Sequence, residues 1–256
     1  AVFLNWMIGK EAKKSVKVLI SGAGADELWG GYQRHKAFDV YQKRKDFLLK
    51  FQGILGKFPL GRGYQKFISA VESSPRKTFL NFSALDTIPD DLSEDYDRVF
   101  DKNLPEYTQM LNFDRQIYLV QDVLKIQDNA LMVHSIEGRA PYLDASMLDL
   151  WRNIKDEELL KGKPWIKKYL NELDLTWIST RKKMGFGFPL QEWFAENGEF
   201  ANRVFASIKA FELTHGTHFS PKMRSLATQP ELGVKHHFLT LYNLFLLGEW
   251  VKLHRL

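Results

Sequence analysis

The sequence predicts a mostly helical chain with few strands, and two observations support this prediction. Apolar residues recur at helical spacing through most of the 256 residues. Only residues 16–20 show the short, β-branched, apolar pattern of a buried strand. Because a single strand cannot make a sheet, its partners are either missed in this chain or lie upstream of it. The chain begins at Ala1 without a methionine, so we favour the second alternative and expect a piece of a longer protein.

Glycine and proline set the expected breaks in the first half of the chain. Gly30 and Gly31 should break or kink the helix that follows the strand. A serine before Pro75, Ser74, is typical of an N-cap followed by proline in the first helical turn. The four glycines and one proline of residues 53–63 predict a loop. Helices are expected over residues 2–14, 28–48, 64–71 and 75–82.

The second half begins with mixed loop and short helix over residues 86–105 and continues with a long core helix from Asn112 to about Val133. Four apolar residues on this helix recur at three-, four- and seven-residue steps, as one buried face requires. They are Ile117, Val120, Leu124 and Leu131. Further helices are expected over residues 145–153, 164–171, 189–196, 199–210 and 234–253.

Composition excludes several kinds of site. Apolar residues make up 45% and charged residues 26%, as in ordinary globular proteins. There is no cysteine, which excludes disulfides, cysteine-ligated metal and a cysteine nucleophile. The net charge of +5 is spread along the chain without a recognition motif, so we expect no nucleic-acid partner. No apolar run approaches the roughly 18 residues of a membrane span, so we expect no membrane partner.

The most informative segment is the turn after the strand, S-G-A-G at residues 21–24. Small side chains let a backbone approach a ligand, and successive N–H groups at a helix start suit phosphate. Asp26 and Glu27 follow at once and would repel phosphate unless a cation such as Mg²⁺ lies between them. A tight strand-to-helix turn, with two carboxylates favouring the helix dipole, explains the same residues equally well.

Two later segments could also carry chemistry. Residues 181–189 place three cations before a loop of glycine, aromatic residues and proline. Such a loop can close over a phosphate and stabilise its charge, although a solvated basic patch is the simpler interpretation. Residues 128–144 hold Glu137 and Arg139 after the long helix. These two could form a structural ion pair or line a pocket for an amino acid, and the residues alone favour the ion pair.

Taken in order, these three segments resemble the synthetase half of the glutamine-hydrolysing asparagine synthetases. The family motif S-G-E-G-A-D-E-L-F-G-G-Y is similar to S-G-A-G-A-D-E-L-W-G-G-Y at residues 21–32. The central motif L-x-x-x-D-R-x-S-M-x-H-S-x-E-x-R-x-P-F-L-D is matched at most positions of residues 124–144. The later R-x-K-x-G-F is met at residues 181–186. The resemblance therefore spans nearly the whole chain.

The resemblance implies an α/β parent fold, a doubly wound parallel sheet of the adenine nucleotide alpha hydrolase-like kind. Residues 1–256 would be the carboxy-terminal part of its single synthetase domain. The implied reaction is the conversion of aspartate to asparagine through β-aspartyl-AMP, with ATP and Mg²⁺ required. A missing amino-terminal glutaminase domain would supply ammonia from glutamine. We expect a cytoplasmic ligase that is inactive as this piece alone, with a homodimer left open.

The resemblance also implies roles for individual residues. Asp26 would help to hold Mg²⁺, and Lys183 would be catalytic by stabilising charge on the phosphate. Three residues would shape the substrate side, namely Asp128, Glu137 and Arg139. The ATP-binding residues would be Ser21, Gly22, Ala23, Gly24 and Lys183.

Departures from the family pattern leave alternatives open. The pyrophosphate motif S-G-G-x-D-S does not occur in these residues, and Asn129 and Leu131 replace a common arginine and serine. Ala23 stands where many members have a glutamate, and a methyl group cannot take a proton. Either another group takes the proton or the acceptor is another carboxylate, in a cell-surface sugar or a cyclic amide precursor. A non-catalytic remnant, or a helical interaction module, is the alternative from a different class.

Overall fold

A computed structural model describes residues 2–58, 60–85, 88, 96–159, 163–182, 187–196 and 198–255. The chain forms two compact units, Ala1–Phe186 and Gly187–Leu256. Both units are mainly helical in the part that is described, as the sequence predicts.

The first unit contains eleven described α-helices, numbered here in chain order. Most of the predicted helices are found within a few residues of their expected bounds. The helices are α1 Val2–Ala12, α2 Ala25–Trp29, α3 Gln33–Leu55, α4 Arg62–Ala70, α5 Pro75–Ser83, α6 Glu106–Phe113, α7 Lys125–Met132, α8 Ala145–Arg152, α9 Asp156–Leu159 and α10 Pro164–Glu172. A short α11, Thr176–Thr180, completes the helices of this unit.

Two short strands of the first unit form a parallel sheet, which corrects the expectation of a strand without partners in this chain. Strand β1 is Val18–Ile20 and β2 is Glu137–Arg139, with Leu19 opposite Gly138. The Ser21 N–H donates to the Arg139 carbonyl at 2.8 Å and extends the pairing. The sequence prediction missed β2 because two charged residues and a glycine have no strand preference. A Cβ at Gly138 would lie 2.5 Å from the Gln127 amide nitrogen and 2.9 Å from a methyl group of Leu131, so these side chains would have to shift.

The prediction that β1 is buried is wrong for two of its three residues. Ile20 is 77% exposed and Val18 36% exposed, whereas Leu19 is half-buried. β2 is the partner of β1 within the described residues. The apolar pattern therefore identified a strand but not its burial.

The helix break predicted at the paired glycines is confirmed. Gly30 and Gly31 have φ values of +70° and +144°, which L-residues with a Cβ rarely adopt. The backbone leaves α2 there and starts α3 at Gln33. The cap predicted before Pro75 is also present, because the Ser74 hydroxyl accepts a hydrogen bond from the Lys77 N–H.

The predicted long core helix is a composite of three segments. Helix α6 runs into a π-helix, Asp114–Leu124, which continues into α7. A π-helix closes i→i+5 hydrogen bonds, so its residues advance around the axis differently from those of an α-helix. As a result Leu119 is buried, whereas Val120, predicted for the core, is 53% exposed.

Aromatic and aliphatic side chains from α3, α5 and α6 fill the core of the first unit. Phe38 packs edge-to-face on Phe79 with ring centroids 5.7 Å apart. Tyr41, Leu80 and Leu111 are fully buried around them. This core fixes α3, and α3 in turn begins beside the site described below.

The second unit is a cluster of four described α-helices with its own core. They are α12 Leu190–Ala195, α13 Glu199–His215, α14 Pro221–Thr228 and α15 Pro230–His254. Phe194, Phe205, Ile208 and Leu241 are buried between them. Trp250, predicted for the apolar side of α15, is 50% exposed. Among the described residues, no helix combines the length and apolar character that crossing a membrane requires.

Candidate functional site

A cleft of about 740 Å³ opens at the carboxyl end of β1 in the first unit. Its walls come from α1, from the turn after β1, and from the π-helix and α7. Four residues predicted for an ATP or metal site line this cleft together. They are Ser21, Gly22, Ala23 and Asp26.

The Ser21 hydroxyl orders the turn that forms the floor of the cleft. It accepts a hydrogen bond from the Ala23 N–H at 3.3 Å and donates to the Gln127 side-chain oxygen at 2.8 Å. The turn is thereby tied to α7. Gly22, between the two bonded residues, has no atom within 4 Å of the place where a Cβ would stand. The backbone at Gly22 is consequently open to a ligand.

Gly24 serves the turn rather than the cleft. Its φ is +87°, and a Cβ would lie 2.5 Å from a methyl group of Leu143. Gly24 is buried and does not belong to the cleft lining. Gly24 would therefore contribute to the predicted nucleotide site only by setting the shape of the turn.

Asp26 lines the cleft and forms an ion pair with Lys163, which lies just before α10. Both side chains are 22% exposed, so the pair is partly shielded from water. A Cβ on Gly31 would meet the Asp26 carboxylate at 2.5 Å, and a glycine is needed at that position. The ammonium group of Lys163 thus compensates the carboxylate for which the sequence predicted Mg²⁺.

Tyr32 and Tyr118 form one wall of the cleft, and Arg34 packs against both rings. The Arg34 guanidinium lies 4.0 Å from the Tyr32 ring centroid and 4.4 Å from that of Tyr118. The two rings meet edge-to-face at 5.7 Å. The Tyr32 hydroxyl donates to Glu27, whose carboxylate is buried. Burial and then this hydrogen bond raise the pKa of Tyr32 well above its ordinary value, which keeps the hydroxyl protonated as a donor.

A buried carboxylate on the π-helix holds this wall from behind. Asp114 is fully buried and accepts from Arg34 at 2.7 Å and from the His35 Nε2 at 2.6 Å. The His35 Nδ1 accepts from the Gly31 N–H at 3.3 Å, so the ring proton lies on Nε2. One carboxylate therefore couples the paired glycines, the arginine between the tyrosines, and the π-helix.

Among the described residues, the charged side chains that line the cleft are all acidic. Three carboxylates line it, those of Asp26, Glu27 and Asp122, and none of the described lining residues is lysine or arginine. Asp26 is paired with Lys163 and Glu27 is hydrogen-bonded to Tyr32. A negatively charged ligand would need a cation to enter beside it.

Comparison with known proteins gives the same family that the motifs suggested. The family model described as asparagine synthase matches residues 1–252. The chain belongs to the asparagine synthase family. It is 30% identical to asparagine synthetase [glutamine-hydrolyzing] 1 of Bacillus subtilis, over 73% of this chain and 33% of that protein. It is 23% identical to a Mycobacterium bovis protein with a provisional name of the same kind, over 96% of this chain and 40% of that protein.

The chain therefore spans between a third and two fifths of the length of these curated relatives. No solved structure matches it significantly. The two described strands agree with a parallel sheet, while the doubly wound fold stays a prediction.

The remaining residues predicted from the asparagine synthase motifs lie elsewhere. Glu137 and Arg139 are exposed and form an ion pair with each other at 2.9 Å, the structural alternative that the residues alone favoured. The hydrogen bond from Arg139 holds the pKa of Glu137 below its usual value. Asp128 is exposed and outside the cleft lining. Lys183 lies outside the described residues.

Sequence reasoning missed several residues that shape the cleft of this asparagine synthase-family chain. Gln127, the residue before Asp128, lines the cleft, whereas Asp128 does not. Tyr118 and Asp122 are four residues apart, and helical spacing could have placed them together. Nothing in the sequence could have indicated Lys163, because it meets Asp26 across 137 positions of the chain.

Proposed function

We propose that the intact protein uses ATP to convert aspartate to asparagine through β-aspartyl-AMP, releasing pyrophosphate and then AMP when ammonia attacks. The observation that carries this proposal is the cleft at the end of β1, where Gly22 leaves open backbone and Asp26 supplies a carboxylate. Ligands of open sheets bind at this end of parallel strands. Family membership supports the same class of reaction.

The cleft has the surfaces that ATP requires. Ile8, Val123 and Ile126 give it apolar walls, which suit a purine base. The open backbone at Gly22 and the ordered turn that ends at Ala23 suit phosphate oxygens. ATP would bring its own negative charge into an already acidic cleft, so a cation must accompany it.

Asp26 can serve as a Mg²⁺ ligand when ATP is bound as well. Mg²⁺ is usually held by one or two carboxylates together with phosphate oxygens and water, so a single carboxylate can suffice when ATP is present. The described residues offer no cluster of three histidine, aspartate or glutamate side chains for a metal. Because Lys163 pairs with Asp26, the metal would either share that carboxylate with the ammonium group or displace it.

Six further elements of the proposal rest on the family resemblance. Lys183 would stabilise charge on the transferring phosphate. An amino-terminal glutaminase domain of the intact protein would release ammonia from glutamine. A cytoplasmic location and a homodimer stay predictions, as does membership of residues 1–256 in one synthetase domain. Asp128, Glu137 and Arg139 stay predictions for the substrate side.

Exchange of labelled pyrophosphate into ATP, measured with the intact protein and aspartate, tests this function directly. We expect aspartate-dependent exchange that requires Mg²⁺, and asparagine when ammonia is added. Lys183→Ala should abolish exchange and leave the free energy of unfolding unchanged. Normal turnover in that variant would exclude the role given to Lys183.

A second candidate keeps the chemistry and changes the acceptor. Ala23 lines the cleft with a methyl group where many relatives carry a glutamate, which favours an acceptor other than aspartate. A sugar carboxylate or a cyclic amide precursor in the same exchange assay distinguishes the two. Absence of exchange with every acceptor would favour the non-catalytic remnant or the interaction module.

A further inference from the structure

The second unit has a groove of its own between α13 and α15, with a volume of about 490 Å³. None of the residues to which the proposed function gives a role lies in its lining. Part of the lining is apolar and comes from Ala210, Phe211, Gly248 and Val251. A Cβ on Gly248 would lie 3.1 Å from the Phe211 ring, so a glycine at this position lets the two helices lie close together.

The charged part of the lining is mostly basic. Three exposed cations, Arg203, Lys252 and Arg255, line the groove together with one carboxylate, that of Glu249. Ser207 donates a hydrogen bond to this carboxylate at 2.7 Å. Within the part of the chain that the structure describes, none of the three cationic side chains forms an ion pair or a hydrogen bond. The groove therefore gathers positive charge that its described neighbours do not compensate.

The helix dipole accounts for only part of this positive charge. Lys252 and Arg255 lie at the carboxyl end of α15, where the dipole contributes the equivalent of roughly half a negative charge. Three cations and one carboxylate leave the lining with a charge of +2 when His215 is neutral, so more than one positive charge remains. Like charges around one groove repel each other, and an anion between them lowers the electrostatic energy.

Aromatic rings give the same groove an apolar surface for a ligand. The His215 ring lies 4.9 Å from the Phe211 ring, centroid to centroid. The Thr214 hydroxyl is hydrogen-bonded to the His215 Nδ1 at 2.6 Å, which holds the His215 ring in place. Rings in this arrangement favour offset or edge-to-face contact with a further ring.

We propose that this groove binds an aromatic carboxylic acid, whose ring packs beside Phe211 and whose carboxylate meets the three cations. The volume of about 490 Å³ falls within the range of small-molecule pockets, about 300–1,000 Å³, which favours a small acid over a second protein chain. Most such pockets combine apolar walls with a few polar groups that orient the ligand. The inference does not depend on the proposed function.

Equilibrium dialysis of labelled phenylbutyrate against the intact protein tests this site. We expect one molecule bound per chain, with an affinity that falls as salt is added, because salt screens exposed charges. Phenylbutanamide, which keeps the ring and lacks the charge, should bind at least tenfold more weakly. Butyrate, which keeps the charge and lacks the ring, should also bind at least tenfold more weakly.

Variants of the cations locate the binding. The double variant Arg203→Gln, Lys252→Gln should weaken phenylbutyrate binding at least tenfold and leave phenylbutanamide binding unchanged. Lys235→Gln is the matched control, since Lys235 is an exposed lysine of the same helix outside the groove lining, and it should bind like the wild type. All three positions are exposed, so the thermal unfolding midpoint should not move in either variant.

Three results would overturn the inference. Equal affinity for phenylbutyrate and phenylbutanamide would remove the role of the cations, and full binding by the double variant would place the acid elsewhere. A protein that binds neither compound, sediments as a dimer and becomes monomeric in the double variant would assign the groove to a second copy of the chain. Loss of pyrophosphate exchange with phenylbutyrate binding intact would count against the proposed function and leave this site in place.

Discussion

Replacing Asp114 by asparagine should destabilise the first unit more than any other isosteric change beside the cleft. The Asp114 side chain is fully buried, and its two partners, Arg34 and His35, are 12% and 1% exposed. Both partners donate to the carboxylate, one oxygen each. An asparagine offers only one acceptor oxygen, and its NH₂ group would face a donor.

The expected cost follows from these contacts. A hydrogen bond to a charged group contributes about 1.5–3 kcal/mol, and Asp114→Asn removes one and weakens the other. Arg34 also keeps its positive charge without a compensating carboxylate. Removal of one partner from a buried ion pair typically costs about 3–5 kcal/mol, and we expect Asp114→Asn to lie in this range.

Urea unfolding followed by tryptophan fluorescence measures this loss, because Trp29 is buried in the same unit. Asp149→Asn is the matched control. Asp149 pairs with Arg152 at 2.7 Å, but the two side chains are 70% and 64% exposed, so the change should stay within about 0.5 kcal/mol. A cost for Asp114→Asn no larger than that of the control would refute the coupling of Asp114 to Arg34 and His35.

Three further predictions concern the turn and the wall of the cleft. Tyr32→Phe should lower the unfolding free energy by about 1–3 kcal/mol, because the buried Glu27 carboxylate loses its donor. The pKa of Tyr32 is raised in the folded protein, so the wild type should lose stability as the pH rises past about 10, where the tyrosine of the unfolded chain ionises. In pH-dependent unfolding, Tyr32→Phe should lose less stability over the same range. Gly24→Ala should lower the free energy of unfolding by about 1–3 kcal/mol through its positive φ alone. Gly22→Ala should change this free energy by less than about 0.5 kcal/mol and should weaken ATP binding. Equal losses of stability for the two variants in thermal unfolding would contradict this prediction. Asp26→Asn should raise the Mg²⁺ concentration for half-maximal pyrophosphate exchange, and an unchanged requirement would count against Asp26 as a ligand.

Local signals allowed most helices to be predicted, and non-local pairing explains the failures. The glycines at 30–31 and the Ser74 cap act within a few residues, so the sequence alone reveals them. Strand β2 depends on β1, more than a hundred positions earlier, and its own residues carry no strand pattern. The burial of β1 likewise depends on neighbours that an apolar pattern does not specify.

The site was predicted in part for the same reason. Residues 21–26 are contiguous, so one motif indicated the floor of the cleft. Lys163 and Asp122 come from distant parts of the chain and reach the site only through the fold, whereas Arg34 follows the motif by two residues and packs against Tyr32 and Tyr118. Gln127 was missed because the motif directs attention to Asp128, whereas the helix turns the neighbouring residue towards the cleft.

The π-helix explains why one segment can serve both the core and the cleft. Ile117 and Leu119 are buried in the protein, whereas Tyr118 and Asp122 line the cleft. The i→i+5 turn changes which residues share a face, and on this segment Asp114 accepts from Arg34 while Asp122 lines the cleft. Single-turn π-bulges are frequent at functional sites, and this π-helical segment lines the cleft that we propose binds ATP.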